Sequence, residues 1–451
     1  MTQPTGETPP TGVAAPAAEM DEAQALHLLD ALLRMAEALL SCGAPAADVT
    51  AVTLRAASGC GLRHCHLDIT YTSVTISAAR RGRPPLTTLR VVQVRGIDYS
   101  RLAALYALAH EAAAGVRADD LAARLRAVLD VQPRAPRTVA SLGTATLAAA
   151  VAFLIGGGWA VAVAAALTTG LIDLLLQQAN RHGLPAFFQQ VAGAALATAV
   201  ALGLTLLEPV LPSWLGPLPP SMVVGAGIVV LLAGLSLVGS AEDAISGYYV
   251  TASARVFETL LMTTGLVLGI AGVLDVAQRA GLRLTLVPAA VGGLPPLVEA
   301  ATAGIAALAW AVVGRATRWA VLMAGLAGAL GWLVFDATTA AGLGPTAASA
   351  VAALAVGFVA ESTAWRWGVP GPVVSVCGIV PLLPGLAIYS AIFSVVEGSG
   401  AQGLTQLVGA LGTGLALAAG VTLGEFCSTP LRREFDRVEQ RVRRRALSRR
   451  G

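Results

Sequence analysis

The chain has 451 residues, of which 55% are hydrophobic and only 13% are charged, and its formal net charge is +3. Apolar stretches long enough to cross the roughly 30 Å hydrocarbon layer of a bilayer follow one another over most of the chain, which excludes an ordinary soluble protein and indicates a polytopic membrane protein. No lysine occurs, so the phosphate-binding motif GxxxxGK[ST] is absent and ATP-driven transport by this chain alone is excluded.

The sequence before the membrane region predicts an arm and a soluble domain. Residues 1–20 are rich in Pro, Thr and Ala and have neither the basic nor the apolar region of a signal peptide, so we expect a disordered arm. Residues 21–137 have the pattern of an α+β domain. Apolar residues at helical spacing predict a first helix that ends at Gly43, and a second helix is predicted over 46–57.

The hydrophobic period of this domain then changes from helical spacing to two. Leu67, Ile69 and Tyr71 alternate with polar residues, and TTLRVVQVRG (87–96) predicts a further strand. Helices are expected around 99–113 and 119–130, and PRAPR (133–137) links the domain to the membrane region.

Ten membrane segments are predicted after this linker. Their ranges are roughly 138–156, 158–178, 184–207, 221–240, 256–276, 284–313, 317–337, 343–365, 369–395 and 403–427. The sixth and the ninth segment are interrupted by Pro and Gly, at GGLPP (292–296) and within 369–385. Such residues break a membrane helix, and the freed backbone groups are tolerated only where protein or a water-filled cavity surrounds them.

The placement of the 30 arginines predicts the orientation, because cytoplasmic loops carry an excess of positive charge. Fourteen arginines precede Thr138 and nine follow Pro430, which predicts that both termini are cytoplasmic and that the protein lies in the cell (inner) membrane. With this orientation only two arginines face outside, Arg279 and Arg283. The others of the membrane region face the cytoplasm, namely Arg181, Arg255, Arg315, Arg318 and Arg366.

The two halves of the membrane region resemble each other weakly. GLPAFFQQVAGAALATAVAL (183–202) aligns with 342–361, and 218–239 aligns with 369–385. Five spans per copy is an odd number, so the second copy must enter the membrane upside down, as in many secondary transporters. The predicted fold is therefore an all-α polytopic membrane protein with a 5+5 inverted repeat and an N-terminal soluble α+β domain. The repeats cover 138–280 and 281–429, and an arginine-rich cytosolic tail covers 430–451.

Several carboxylates lie in or beside the apolar segments, although a charge at the centre of a membrane helix costs about 2.5–3.5 kcal/mol. This cost implies a use for charge, such as binding a polar solute or carrying protons, and so favours a transporter. The candidates for substrate or proton binding are Asp173, Glu242, Asp243, Glu299 and Asp336. The alternative for each is a solvated position in a loop or at a helix end, and Asp336 is taken as the inverted counterpart of Asp173.

Backbone groups of the interrupted segments are a second set of candidates, because broken helices expose amides and carbonyls. These residues are Gly292, Gly293, Pro295, Pro381, Pro384 and Gly385. Three further carboxylates, Glu258, Glu361 and Glu425, lie near predicted cytoplasmic helix ends and are interpreted as partners of nearby arginines.

Metal and nucleic-acid binding are not predicted. Cys60, His64 and His66 are close in sequence, but a zinc site needs three or four tetrahedral ligands and no distant partner stands out, so we predict no metal and no other cofactor. The arginine clusters at 80–85 and 441–450 lack interleaved aromatic residues, which argues against nucleic acid as a partner. The second cluster suits the anionic inner leaflet of the lipid bilayer.

Several pieces of sequence carry a resemblance to a known family. They are 32–49, 67–77 and 89–108 before the membrane region, 171–193 and 378–393 within it, and the spacing D-x-x-x-G-x-x-x-x-x-x-x-R formed by Asp243, Gly247 and Arg255. In this order they resemble the threonine/serine exporter family. The family usually has a Pro-Gly turn and an asparagine ahead of the aspartate, whereas here the turn is Val238-Gly239 and Glu242 precedes Asp243.

The resemblance implies proton-coupled export of small amino acids and a cytosolic N-terminal domain. It adds Arg255 to the candidate site and Gly239 to the broken-helix backbone. We therefore predict a secondary transporter, not an enzyme, that exports threonine, serine or a similar amino acid with the proton motive force. Asp173 or Asp243 would bind the ammonium group, and exposed amides of the broken helices the carboxylate.

Three alternatives to this function stay open. A dicarboxylate exporter of the succinate type would need cationic groups at the site, and only Arg255 is placed to help. An enzyme that uses the soluble domain and is tethered by the spans would need a nucleophile and a base, which that domain does not recognisably contain. A channel would not need coupling carboxylates. The sequence is compatible with a homo-oligomer.

Overall fold

The computed structural model describes the backbone of residues 21–447 outside 63, 81–82, 93–95, 132–135, 211, 213, 215, 233, 282–292, 368 and 397–398. Side chains are described over the same residues except 363–367, 392–393, 395–396 and those beyond 428. The predicted arm over 1–20 and the candidate Gly292 lie outside the described residues.

Seven elements form an N-terminal unit. They are α1 (Glu22–Ser41), α2 (Ala46–Gly59), β1 (Cys65–Ile69), β2 (Ser73–Arg80), β3 (Arg83–Val91), α3 (Tyr99–Ala113) and α4 (Ala118–Asp130). The predicted helices and the alternating segment are confirmed. The helix α1 ends as the sequence predicts, because Gly43 adopts a φ of +96°, the left-handed conformation that favours glycine after a helix.

The three strands form one antiparallel sheet in the order β1-β2-β3. The buried residues Val74, Ile76 and Ala78 of β2 alternate along the strand, and the apolar face of α1 packs in the same core. The strand β3 begins before the predicted one and includes Pro84 and Pro85. Proline is tolerated there because β3 is an edge strand and its pairing with β2 is irregular at these two residues, between the pairs Ala78–Leu86 and Arg80–Arg83.

Twelve α-helices follow in the described part of the membrane region and the tail. They are α5 (Arg137–Leu154), α6 (Trp159–Arg181), α7 (Ala186–Leu207), α8 (Pro220–Gly227), α9 (Gly234–Ile245), α10 (Tyr249–Arg279), α11 (Pro296–Val313), α12 (Arg318–Ala340), α13 (Pro345–Trp367), α14 (Gly371–Gly378), α15 (Gly385–Val396) and α16 (Gly400–Leu447). Within the described residues, eight helices are long and apolar enough to cross a membrane, and the bent pairs α8–α9 and α14–α15 bring the number to ten if each pair is one span.

The positions of the breaks differ in part from the prediction. The pair α14–α15 bends by 46° in the ninth predicted segment, as expected from Pro381 and Pro384. The other bend, of 43°, lies in the fourth segment, at the break between Gly227 and Val229, and Gly239 is inside α9 rather than at a turn. Gly239 packs against Arg255, because a Cβ there would lie 2.7 Å from Nη1 of Arg255.

The described part of the sixth span begins just after GGLPP, where the sequence predicts an interruption. The helix α11 begins at Pro296 with Pro295 as its N-cap. Proline at the first position of a helix is favoured, because its missing N–H would have had no partner there anyway. Gly293 and Pro295 therefore precede this helix, and the predicted part of the span before them lies outside the described residues.

The two halves of the membrane region have the same succession of elements. The helices α5 and α11 have 18 residues each, α6 and α12 have 23, α8 and α14 have 8, and α9 and α15 have 12. Glycines allow close packing of α10 against α7 in the first half and of α16 against α13 in the second. A Cβ on Gly269 of α10 would lie 2.2 Å from the carbonyl oxygen of Val191 in α7, and one on Gly424 of α16 would lie 2.3 Å from that of Leu354 in α13.

The N-terminal unit is joined to one end of the membrane helices by direct hydrogen bonds. The hydroxyl of Tyr248 donates to Oγ1 of Thr50 at 2.7 Å, and the hydroxyl of Tyr71 donates to the carboxylate of Glu258. These contacts place the unit over the end of α9 and the beginning of α10. The candidate site lies at this junction.

Candidate functional site

An interface cavity of about 310 Å³ lies between the N-terminal unit and the membrane helices. Its polar wall is formed by Tyr71 from the unit and by Ser236, Glu242, Arg255 and Glu258 from α9 and α10. Both signs of charge therefore face one cavity. A molecule that carries a cationic and an anionic group would find a partner for each.

A second, central cavity of about 380 Å³ lies where the two bent spans meet. Leu232 and Gly234 line it from the first bent span, and Pro381, Pro384 and Gly385 line it from the second. Trp310 and Trp332 complete a mostly apolar wall. The predicted broken-helix residues of the ninth segment therefore do line a cavity.

The two bent spans pack closely against each other at one glycine on each side. A Cβ on Gly234 would lie 3.1 Å from Cβ of Leu383, and a Cβ on Gly385 would lie 3.0 Å from Cβ of Leu232. Each glycine thus packs against the other bent span. The contact places the starts of α9 and α15 side by side.

The two cavities share part of their walls. Ile97, Leu235 and Ser236 line both of them. Leu235 and Ser236 belong to the first turn of α9, whereas Ile97 belongs to the N-terminal unit. The interface cavity and the central cavity are therefore adjacent, with these three residues at the boundary.

Asp243 is fully buried at the junction of the two parts of the protein. Its Oδ2 lies 3.3 Å from Nη1 of Arg255, and its Oδ1 accepts a hydrogen bond of 3.2 Å from the backbone N–H of Ala46. Ala46 is the first residue of α2, and its N-cap, Pro45, has no side-chain oxygen for the free amides of that helix end. Asp243 supplies the missing acceptor and the negative charge that a helix N-terminus favours.

Glu242 faces a different neighbour from Asp243, because adjacent helical side chains point about 100° apart. Glu242 lines the interface cavity together with Arg255 and Glu258, whereas Asp243 is not among the described residues that line either cavity. The two adjacent carboxylates, which the sequence indicated together, therefore differ in position. Glu242 lines the interface cavity, and Asp243 contacts Arg255 and the first residue of α2.

Further carboxyl groups surround this junction. Oδ2 of Asp48 in α2 accepts a hydrogen bond of 3.2 Å from the hydroxyl of Tyr106. Burial raises the pKa of Asp48, and the nearby Glu361 raises it further. Glu425 accepts a hydrogen bond of 3.0 Å from Ser375, and Glu258 accepts one from Tyr71. These hydroxyl groups are partners that the sequence did not indicate for Glu258 and Glu425.

Asp173 lies away from both cavities. Its Oδ2 accepts hydrogen bonds from Ser141 of α5 and, at 2.9 Å, from Nε2 of Gln177, one turn further along α6. Counted from the start of the equally long helices α6 and α12, Trp332 rather than Asp336 falls at the position of Asp173. Asp336 lies one turn further along its helix, is half-buried on α12 and is not among the described residues that line the two cavities.

Glu299 is buried and accepts a hydrogen bond from Trp332, which lines the central cavity. Its Oε1 accepts hydrogen bonds from the backbone N–H groups of Gly293 (3.1 Å) and Leu294 (3.2 Å), ahead of α11. Its Oε2 accepts a hydrogen bond of 3.2 Å from Nε1 of Trp332. Since Trp332 lines the central cavity, Glu299 fixes the orientation of part of the cavity wall.

Some of the residues predicted from the sequence thus lie at the two cavities. Glu242, Arg255, Pro381, Pro384 and Gly385 line the two cavities, and Glu299 supports one of them. The residues it missed include Tyr71 and Ile97, which belong to the N-terminal unit. The available signal was the spacing between Asp243 and Arg255, which places the two side chains in contact across the turn between α9 and α10.

A bundle with eight to ten apolar spans, two of them bent around an internal cavity, defines a polytopic membrane protein with the architecture of a transporter. Comparison with known proteins agrees with this class. Two family models described as threonine/serine exporters match residues 30–277 and 299–427. The chain belongs to the threonine/serine exporter family, a family of transporters and not of enzymes.

Relatives support the same assignment along nearly the whole chain. The "Probable threonine/serine exporter" of Mycobacterium tuberculosis (strain ATCC 25618 / H37Rv) is 39% identical over 429 residues, which cover 93% of this chain and 80% of that protein. The "Threonine/serine exporter" of Corynebacterium glutamicum is 35% identical over 443 residues, which cover 94% of this chain and 87% of that protein. No solved structure matches. The predicted family is confirmed.

Proposed function

We propose that this protein exports threonine, serine or a similar small amino acid across the cell membrane, by secondary transport that is coupled to protons. Membership of the family supports the substrate class. The observation that carries the proposal is that Glu242 and Arg255, which bear opposite charges, line one cavity, and that this cavity adjoins a second one at the bent spans.

The interface cavity is the proposed site of substrate recognition. Arg255 would bind the carboxylate of the amino acid, because its guanidinium offers several donors in a planar fork. Glu242 and Glu258 would bind the ammonium group. Ser236, at the boundary of the two cavities, is placed to bond to the hydroxyl group that threonine and serine share.

The central cavity is the proposed passage through the membrane. The starts of α9 and α15 lie beside it, and helix starts present free N–H groups and a partial positive charge. These amides would replace Arg255 as partners of the carboxylate during transit. Trp310 and Trp332, with Glu299 behind Trp332, would hold the passage at the width of a small side chain.

Glu242 is the proposed coupling group. A proton on Glu242 removes the charge that binds the ammonium group, so proton binding and substrate binding compete at one residue. A proton that enters along the membrane potential gains about 2.3 kcal/mol per 100 mV, which is enough to drive modestly uphill export. Asp243 keeps Arg255 in place in both states.

The remaining architecture follows from the matched halves and the arginines. We infer an inverted repeat of five spans each, with the central cavity between the copies; the equal helix lengths and the two bent spans support it. The N-terminal unit and the C-terminal end of α16 would face the cytoplasm of a cell with this protein in its inner membrane, as the excess of arginine at both ends indicates.

Counterflow of labelled threonine in proteoliposomes, with and without an imposed pH gradient, tests the proposal. Threonine exchange that is saturable, is competed by serine and is accelerated by the gradient is the expected result. Uptake of succinate in place of threonine would establish a dicarboxylate exporter, which the carboxylates of Glu242 and Glu258 beside Arg255 disfavour. A threonine flux that neither saturates nor responds to the gradient would indicate a channel.

A further inference from the structure

The segment Gly96–Tyr99 of the N-terminal unit leads into α3 and contacts the end of the membrane helix α11. Its central residue, Ile97, lines both the interface cavity and the central cavity. A Cβ on Gly314, at the end of α11, would lie 3.1 Å from Cγ2 of Ile97. A side chain from outside the bundle therefore stands at the boundary of the two cavities, opposite Leu235 and Ser236.

Tyr99 binds this segment to the end of α11 through its backbone and its ring. Its backbone N–H donates a hydrogen bond of 2.8 Å to the carbonyl oxygen of Gly314. Its ring lies so close to Gly314 that a Cβ there would be 2.3 Å from it. Tyr99 is buried, and burial raises its pKa well above the ordinary value of 10, so the hydroxyl stays neutral.

Asp98 and Gly96, the other two residues of the segment, contact the membrane region and the N-terminal unit. The carboxylate of Asp98 lies 3.9 Å from Nη1 of Arg315 in the membrane region, and it also caps α3 by accepting a hydrogen bond of 3.0 Å from the N–H of Arg101. The N–H of Gly96 donates to the carbonyl oxygen of Ser41 at the end of α1. Ile97 is thus carried by the N-terminal unit and positioned by the membrane helices.

We propose that the segment Gly96–Tyr99 is the inner gate of the transport path, with Ile97 as the side chain that separates the interface cavity from the central cavity. The assignment of direction rests on the proposed export function, whereas the separation of the two cavities does not. The gate is part of the N-terminal unit, so a movement of this unit relative to α9 and α11 opens or closes the path.

The same geometry couples the gate to the substrate. A zwitterion in the interface cavity contacts Tyr71 of the N-terminal unit as well as Glu242 and Arg255 of the membrane region, and so bridges the two parts whose relative position sets the gate. A ligand that binds one arrangement of the two parts better than the other shifts their populations. Binding of substrate therefore biases the position of Ile97.

An accessibility experiment tests the gate without any measurement of transport. Ala387 lines the central cavity and is not among the described residues that line the interface cavity, so we would place a single cysteine there (Ala387→Cys) in a chain whose five native cysteines are replaced by alanine. Full-length protein in proteoliposomes is treated with an impermeant maleimide on the side that carries the N-terminal unit. The rate of labelling should rise several-fold with Ile97→Ala and fall several-fold with Ile97→Trp.

Leu89→Ala is the matched control, because Leu89 is an exposed apolar residue of the same unit on β3. It should leave the labelling rate unchanged. Equal labelling of the Ile97→Ala, Ile97→Trp and unmodified proteins would overturn the gate, whatever the protein transports. Threonine counterflow with the same variants then separates the two proposals. A gate without threonine flux contradicts the proposed substrate only, and threonine flux with unchanged labelling contradicts the gate only.

Discussion

Asp243 in α9 and Ala46 at the start of α2 are joined by a hydrogen bond of 3.2 Å, across 197 residues of sequence and across the boundary between the membrane region and the N-terminal unit. The same carboxylate lies 3.3 Å from Arg255. One buried aspartate therefore orients the arginine of the proposed substrate site and caps the helix that docks above it. The two tasks can be separated by substitution.

Asp243→Asn keeps an oxygen for the N–H of Ala46 but removes the charge that holds Arg255. We expect near-normal expression and a nearly unchanged melting temperature, because Arg255 still shares its cavity with Glu242 and Glu258. Proton-driven export should be nearly abolished. Asp243→Ala also loses the cap, which costs about 0.5–2 kcal/mol of stability. Thermal unfolding in detergent measures the stability of the two variants, and threonine counterflow measures their export. Export at the wild-type rate by well-folded Asp243→Asn would show that Asp243 is not needed at the site.

Glu242→Gln should uncouple transport from protons. The amide keeps the size of the side chain but cannot titrate, so counterflow should persist at a reduced rate while the acceleration by a pH gradient disappears. The matched control is Glu208→Gln, because Glu208 is exposed beyond the end of α7. A gradient response that survives in Glu242→Gln would assign coupling to another group. Glu242 is thus the proposed coupling group, whereas the sequence alone indicated Asp173 or Asp243 as the partner of the ammonium group.

Glu299→Gln should disturb the central cavity through Trp332. The glutamine oxygen can still accept from Gly293 and Leu294, but its amide group then faces the N–H of Trp332, which loses its acceptor. We expect a several-fold loss of export. Trp332→Phe removes the N–H, so the double variant should recover part of the rate lost by Glu299→Gln. A double-mutant cycle on counterflow rates that shows additive effects would contradict this link.

Asp48→Asn should stabilise the protein near neutral pH. Burial raises the pKa of Asp48 from its ordinary value of 3.8, so the folded state binds the proton more tightly than the unfolded state. Stability that depends on this proton is present at pH values below 3.8 and is lost as the pH rises through the folded-state pKa. The amide carries no charge and can still accept from Tyr106. Melting temperatures of variant and wild type should therefore converge as the pH falls towards 4, and a constant difference would refute the account.

Cysteine labelling tests the orientation. Glu208→Cys, beyond the end of α7 that lies away from the N-terminal unit, should react with an impermeant maleimide added to intact cells. Arg318→Cys, at the start of α12, should react only after the membrane is opened. The reverse pattern would place the N-terminal unit outside the cell and overturn the assignment based on arginine.

Hydropathy alone was enough to predict most of the membrane helices, because about 20 apolar residues are needed for each crossing and the turns between them are marked by glycine and proline. The bend in the ninth segment was predictable from Pro381 and Pro384. The bend in the fourth, between Gly227 and Val229, was not, because no proline lies there. The packing of Gly234 against Leu383 was not predictable either, because only the folded protein defines this contact.

The site was predictable only where both partners are close in sequence. Asp243 and Arg255 are separated by one turn between helices, and their spacing was visible. The contact of Asp243 with Ala46 and the position of Ile97 between the cavities depend on how the N-terminal unit docks. Hydrophobic periodicity describes which face of an element is buried, but it does not state which element covers it.

The N-terminal unit touches both halves of the membrane region, since Ala46 and Thr50 bond to the end of α9 and its following turn, while Tyr99 bonds to the end of α11. The N-terminal unit therefore joins the two halves of the membrane region, and these halves need not be covalently continuous. A chain divided between α10 and α11 would give one fragment that ends with α10 and one that begins with α11, each with its own bent span. When both fragments are made in one cell, the N-terminal unit of the first fragment would bind the second fragment. A functional transporter would then assemble from separate polypeptides.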